Sequence, residues 1–135
     1  MVKVELENLS DRIIKTAQEL KEQLEKNPQH PNATSLRELG HYCTERFLES
    51  QSSTERFLSF FLSSFIDSFF SNLLGDTPYD EELQHAKVSI CNKLYETLII
   101  LGGEIKKENK VGILDCLSEI VSYYVDKINH LNAEY

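Results

Sequence analysis

The chain has 135 residues, a formal net charge of −8, 41% hydrophobic residues and 27% charged residues. This length suits one domain with a single core, and the composition excludes general disorder. Five glycines and three prolines are too few for an all-β chain rich in tight turns. The acidic balance argues against a nucleic-acid backbone or an anionic membrane as the main partner.

The first predicted helix runs from residue 2 to residue 26. Its apolar residues recur at steps of three and four and form one narrow stripe. The stripe consists of Leu6, Leu9, Ile13, Ala17, Leu20 and Leu24. So narrow a stripe is typical of a coiled-coil seam rather than of the wide face of a central core helix. Two prolines within residues 27–32 end the helix.

Two capping-box patterns place the next helices. Residues 35–38 read Ser-Leu-Arg-Glu, which predicts a second helix that has Ser35 as its N-cap and continues to Glu49. Residues 52–55 read Ser-Ser-Thr-Glu and predict a break at residues 50–53. One continuous bent helix is the alternative at this point.

The third segment, which ends at Leu74, is the most apolar part of the chain. Residues 57–74 contain 11 apolar residues in 18, together with serines and one aspartate. That run is short and too polar for a membrane span. Because apolar side chains cover more than half of its circumference, we expect the third helix to be the most central one.

Glycine and proline mark the remaining boundaries. Gly75 follows the third helix, and Thr77-Pro78 is a strong start signal for a fourth. That helix is expected to end at Leu101, before Gly102-Gly103. A fifth helix follows from Val111 to the end of the chain.

No segment combines two-residue alternation with the turn residues of a hairpin. We therefore predict an all-α fold, an antiparallel four- to five-helix bundle that comprises residues 1–135 as a single domain.

Motifs for chemistry are scarce in this sequence. No phosphate-binding, dinucleotide-binding, zinc-protease or EF-hand pattern occurs. Glu82 and His85 give a single Glu-x-x-His, whereas a di-iron bundle needs paired copies. Cys43, Cys91 and Cys116 are far apart, and the first residues show no signal peptide. We expect reduced thiols in a cytoplasmic, non-enzymatic protein without metal or cofactor.

Asp67 is the most unusual single residue, because it lies among phenylalanines. One interpretation is a carboxylate in a low-dielectric crevice, where it contacts a ligand. The other, which the polar neighbours Ser63 and Ser71 favour, places Asp67 on a narrow polar sector that reaches water.

These observations predict a protein-interaction or regulatory bundle that forms a homodimer. A variant of this hypothesis is the N-terminal dimerisation or input domain of a longer signalling protein. The alternative is a small-molecule sensor with an aromatic pocket beside residues 57–74. Nucleic acid and membrane are not expected partners. The hypothetical interface consists of Leu6, Ile13, Leu20, Phe60, Phe70 and Leu74.

Overall fold

The computed structural model describes residues 2–28, 33–73 and 81–133, which form helices and no strand. The helices are α1 (Val2–Lys26), α2 (Thr34–Glu49), α3 (Ser53–Leu73), α4 (Glu81–Lys106) and α5 (Lys110–Ala133). The predicted all-α bundle is confirmed, and so is the break between the second and third helices. The signals at Gly75 and at Thr77-Pro78 lie outside the described residues.

Each helix runs antiparallel to the helices against which it packs most closely. Helix α1 packs on α4 and α2, α2 packs on α3, and α4 packs on α5. Two contacts fix the direction of α4 relative to α1. Asp11 in the first half of α1 pairs with Lys106 at the end of α4, whereas Leu24 near the end of α1 and Val88 in the first half of α4 line one cleft. The chain is therefore an up-down-up-down-up bundle in which α3 and α5 are parallel.

Helices α1 and α4, and not α3, lie at the centre of the core. Leu9, Ile13 and Leu20 have no exposed surface, because α4 and α2 cover the stripe from two sides. Helix α3 packs mainly on α2 and leaves Phe57 and Phe60 more than half exposed. The prediction that α3 is the most central helix is therefore wrong. A narrow stripe suffices at the centre when two neighbouring helices close over it.

The expected end of the fourth helix at Leu101 is also wrong, since α4 continues through Gly102 to Lys106. A Cβ atom on Gly102 would lie 2.4 Å from Cγ1 of Ile14. The Ser10 hydroxyl donates a hydrogen bond of 2.5 Å to the Gly102 carbonyl oxygen. Gly102 thus serves the close contact of α1 with α4 instead of ending a helix.

Helix α4 ends in a Schellman motif that contains no glycine. The Asn109 N–H donates to the Glu104 carbonyl, and the Glu108 N–H donates to the Ile105 carbonyl, each at 3.0 Å. Glu108 has a φ of 54°, the left-handed conformation that this motif requires and that glycine adopts more easily.

The two predicted capping boxes have different outcomes. Ala33 is the N-cap of α2 and offers no side-chain hydrogen bond, while Ser35 donates to Oε1 of Gln23 at 3.2 Å. At the start of α3, the Ser52 hydroxyl does accept the Glu55 N–H at 3.2 Å. The Glu55 carboxylate, however, turns into the core and does not complete the box.

Two adjacent glycines give a matched test of the α1–α4 contact. Gly102→Ala should lower the free energy of unfolding by about 1–3 kcal/mol, because the new methyl group meets Ile14. Gly103→Ala is the control, since no atom lies within 4 Å of its added Cβ. It should raise the free energy of unfolding by about 0.5–1 kcal/mol through helix propensity. Urea unfolding measures both values, and equal effects would contradict the close contact.

Candidate interaction surface

The predicted interface on the first helix is occupied by the chain itself. Leu6, Ile13 and Leu20 are buried against α4 and α2. None of these three side chains is accessible to a partner of the folded protein. The apolar stripe of α1, which was predicted to bind a second molecule, instead packs against helices of the same chain.

The predicted interface residues on the third helix have different environments. Phe60 is 58% exposed, with its ring 5.7 Å from that of Phe47 in an edge-to-face contact. Phe70 is half-buried, and the Arg37 guanidinium lies 4.3 Å from the centre of its ring. Leu74 lies outside the described residues.

Helix α5 carries an exposed apolar stripe that the sequence analysis did not identify. Val111, Leu114, Val121 and Val125 are between 36% and 68% exposed. Their spacing of three, seven and four residues places them on one side of a helix. Ser118, also exposed, lies on the same side between Leu114 and Val121.

Tyr124 joins this part of α5 to α3. Its hydroxyl donates to the Ser68 carbonyl at 2.9 Å and accepts a hydrogen bond from Asn72 Nδ2 at 2.9 Å. Its ring lies 5.0 Å from that of Phe65. Because the two helices are parallel, this contact also places Phe57 of α3 at the level of the first turns of α5.

Helices α3 and α5 meet at Tyr124, and we give their exposed apolar residues one name, the α3–α5 face. It consists of Phe57, Phe60, Val111, Leu114, Val121 and Val125.

Charged side chains around the α3–α5 face are unevenly distributed along the helices. Three exposed cations lie near the N-terminal ends of α3 and α5. They are Arg56, whose Nε donates a hydrogen bond to the Ser50 carbonyl, Lys107 in the turn before α5, and Lys110. Two exposed acids lie in the C-terminal halves of the same helices: Asp67 and Asp126. Glu108 and Asp115 offset part of the positive charge. The N-terminal end of the face is therefore slightly positive, and the C-terminal halves are negative.

Asp67 is exposed, and it makes no hydrogen bond or ion pair with another residue of the described ranges. Asp67 lines neither the open cleft between α4 and α5 nor the one between α1 and α4. Of the two interpretations of Asp67, the structure agrees with the polar sector that reaches water.

Two open clefts lie away from α3. One, of about 300 Å³ between α4 and α5, is lined in part by Glu82, His85, Lys127 and His130. The other, of about 200 Å³, lies between α1 and α4. Neither is the aromatic pocket beside residues 57–74 that a sensor would need. Within the described part of the chain, no group of three or more His, Cys, Asp or Glu residues could hold a metal ion.

A buried ion pair ties the α2–α3 turn to the core. Glu55 has no exposed surface, and its Oε1 accepts hydrogen bonds from Arg46 Nε at 3.0 Å and Nη2 at 2.9 Å. Glu5 of α1 lies 3.3 Å from the same guanidinium. Within the described residues, Oε2 of Glu55 and the Ser59 hydroxyl have no hydrogen-bond partner. This carboxylate is out of reach of a substrate, so its role is structural.

The three cysteines are buried on three different helices. Burial raises the pKa of both the Cys43 and Cys91 thiols to about 12, and the Glu55 charge adds to the effect at Cys43. Burial also raises the pKa of the Cys116 thiol. Protonated thiols are poor nucleophiles and poor metal ligands at neutral pH.

Over the described residues, none of the helices combines the length and the apolar character needed to cross a bilayer. Comparisons of the chain with protein-family models, with curated proteins and with solved structures found no match.

The buried ion pair can be tested with single and double substitutions. Arg46→Met should lower the free energy of unfolding by about 3–5 kcal/mol, because it leaves the Glu55 carboxylate buried without a counter-charge. Arg46→Met combined with Glu55→Leu should cost clearly less than Arg46→Met alone. Urea unfolding provides the measurement. If the double variant is the less stable of the two, the pair does not act as one unit.

The thiols give a pH dependence with a defined sign. Cys43 and Cys91 have a pKa of about 12 in the folded chain, against an ordinary value of 9.0. Between these values the folded chain keeps protons that the unfolded chain releases. The free energy of unfolding should therefore fall as pH rises above 9, by up to about 1.4 kcal/mol per pH unit for each thiol.

The control is the double variant Cys43→Ala/Cys91→Ala, which should lose this part of the alkaline slope. Burial lowers the pKa of the Lys87 amine, so Lys87 gives a trend of opposite sign below its ordinary pKa. Because the Lys87 amine and the Cys91 thiol influence each other's pKa, the single variant Cys43→Ala, which leaves that interaction intact, isolates the contribution of the Cys43 thiol. Urea unfolding between pH 8 and 11, roughly the window of thiol titration, provides the measurement. If the free energy of unfolding depends on pH equally with and without the thiols, their raised pKa values are wrong.

Proposed function

We propose that the protein is a non-enzymatic interaction module that binds another protein molecule through the α3–α5 face. The observation that supports this most is the set of large apolar side chains that α3 and α5 leave exposed. Folded monomers rarely expose contiguous apolar patches larger than a few hundred Å², and larger patches are typical of interaction sites. The patch includes aromatic side chains, which are enriched where proteins bind each other.

The interior supports a non-catalytic role. The buried carboxylate of Glu55 is held by Arg46, and two of the thiols have a pKa of about 12. Each of these reactive groups therefore has a packing or structural role. Reduced, buried thiols also suit a cytoplasmic location for the module.

Site-specific photo-crosslinking in cells tests whether the α3–α5 face binds a protein. A benzophenone amino acid replaces Phe57 on the face or, as the matched control, Leu48. Leu48 is 73% exposed but belongs to α2, outside the face. We expect irradiation to give a discrete protein adduct at position 57 and none at position 48. Absence of an adduct at 57, or equal adducts at both positions, would overturn the proposal.

A further inference from the structure

We infer that the partner on the α3–α5 face is a second copy of this chain, docked antiparallel about a two-fold axis that passes near Ser118. The inference rests on the proposed function, because it names the molecule that the face binds. Three features of the face lead to it: the charge distribution, the direction of its helices, and the symmetry of the α5 stripe.

The charges favour an antiparallel copy. Arg56 and Lys110 lie at the N-terminal ends of α3 and α5, while Asp67 and Asp126 lie in their C-terminal halves. When a second copy is inverted, the basic end of each molecule faces the acidic half of the other. A parallel copy would place like charges together at both ends. Charge complementarity of this kind fixes the orientation in which two surfaces bind.

The helix directions favour the same orientation. Helices α3 and α5 are parallel neighbours within one molecule, so their dipoles point the same way. An inverted second copy supplies helices that run antiparallel to both of them, which is the arrangement that helix dipoles favour. A two-fold axis gives this result with one surface that is complementary to itself.

The stripe on α5 is arranged for a two-fold axis. Val111 and Val125 each lie seven residues from Ser118, whereas Leu114 lies four residues before it and Val121 three residues after it. Inversion about an axis near Ser118 therefore places Val111 opposite Val125 and brings Leu114 within one residue of Val121. The small Ser118 side chain allows the two helices to approach at the axis.

The size of the face sets the strength of association. From Val111 to Val125 the stripe spans about 21 Å at 1.5 Å per residue, and the face is two helices wide. This is at the small end of specific interfaces. We therefore expect a reversible dimer with a dissociation constant on the order of micromolar.

Charge reversal at either end tests the orientation. Arg56→Glu/Lys110→Glu makes both ends of the face acidic, and Asp67→Lys/Asp126→Lys makes both ends basic. Each pair of substitutions should weaken dimerisation about tenfold or more at low salt. All four substitutions together exchange the two ends and should restore association to nearly that of the original chain. Sedimentation equilibrium at micromolar concentration provides the dissociation constants.

The matched control for the first pair is Lys21→Glu/Lys26→Glu on the exposed surface of α1. It makes the same change in net charge away from the face and should leave the dissociation constant nearly unchanged. The inference is wrong if the control weakens association as much as Arg56→Glu/Lys110→Glu does. The inference is also wrong if the variant with all four substitutions dimerises as weakly as the two double variants. Helical circular dichroism verifies that each variant is folded.

Disulfide cross-linking tests the position of the axis. Ser118→Cys should form a covalent dimer under mild oxidation, because each copy meets the same residue of the other at the axis. Val111→Cys, at the end of the stripe, should not, because inversion separates the two copies of residue 111. Dimers from both Val111→Cys and Ser118→Cys would indicate a parallel arrangement and overturn the inference, and so would the absence of dimers from Ser118→Cys.

The experiments also separate the two proposals. A chain that stays monomeric at all concentrations and salt conditions overturns the second-copy inference. If position 57 still gives an adduct with a different protein, the proposed function stands. If it gives no adduct, both fail.

Discussion

The close contact between α1 and α4 at Gly102 is the constraint on which the rest of the bundle depends. A side chain at this position would overlap Ile14, and the Ser10 hydroxyl bonds the Gly102 carbonyl across the contact. With these two helices fixed together, α2 packs on one side of the pair and α5 on the other. Helix α3 then packs on the outer side of α2 and makes few contacts with α1, α4 and α5.

The number of helices explains why the α3–α5 face is left incomplete. In a bundle whose successive neighbours alternate in direction, an odd number of helices leaves one adjacent pair parallel. Here that pair is α3 and α5, which meet through the hydrogen bonds and ring contact of Tyr124 rather than through close backbone packing. Among the described residues, no further helix covers the apolar side chains on the outer side of this junction.

Periodicity in the sequence predicts the apolar arc of each helix but not which neighbour covers it. The first helix and the break after Glu49 were therefore predictable from local signals. The partner of the Ile13 stripe was not, because one narrow arc fits a second molecule as well as two helices of the same chain. Gly102 shows the same limit, since a glycine that ends a helix and one that admits a neighbour look alike in sequence. Of the candidate surface, Phe60 was predicted, whereas the exposed stripe of α5 was not.

The wide apolar arc of α5 is the feature that connects fold and function. Its buried side, which includes Ile120 and Leu117, completes the core, while its exposed side, which includes Val111 and Val125, adds little to the stability of the isolated chain. Polar residues at the exposed positions would leave the core intact and would improve solubility. A net charge of −8 opposes non-specific association and allows such a surface to remain in water. An apolar stripe that the core does not need, on a chain otherwise rich in charge, is the surface that the proposed partner would cover.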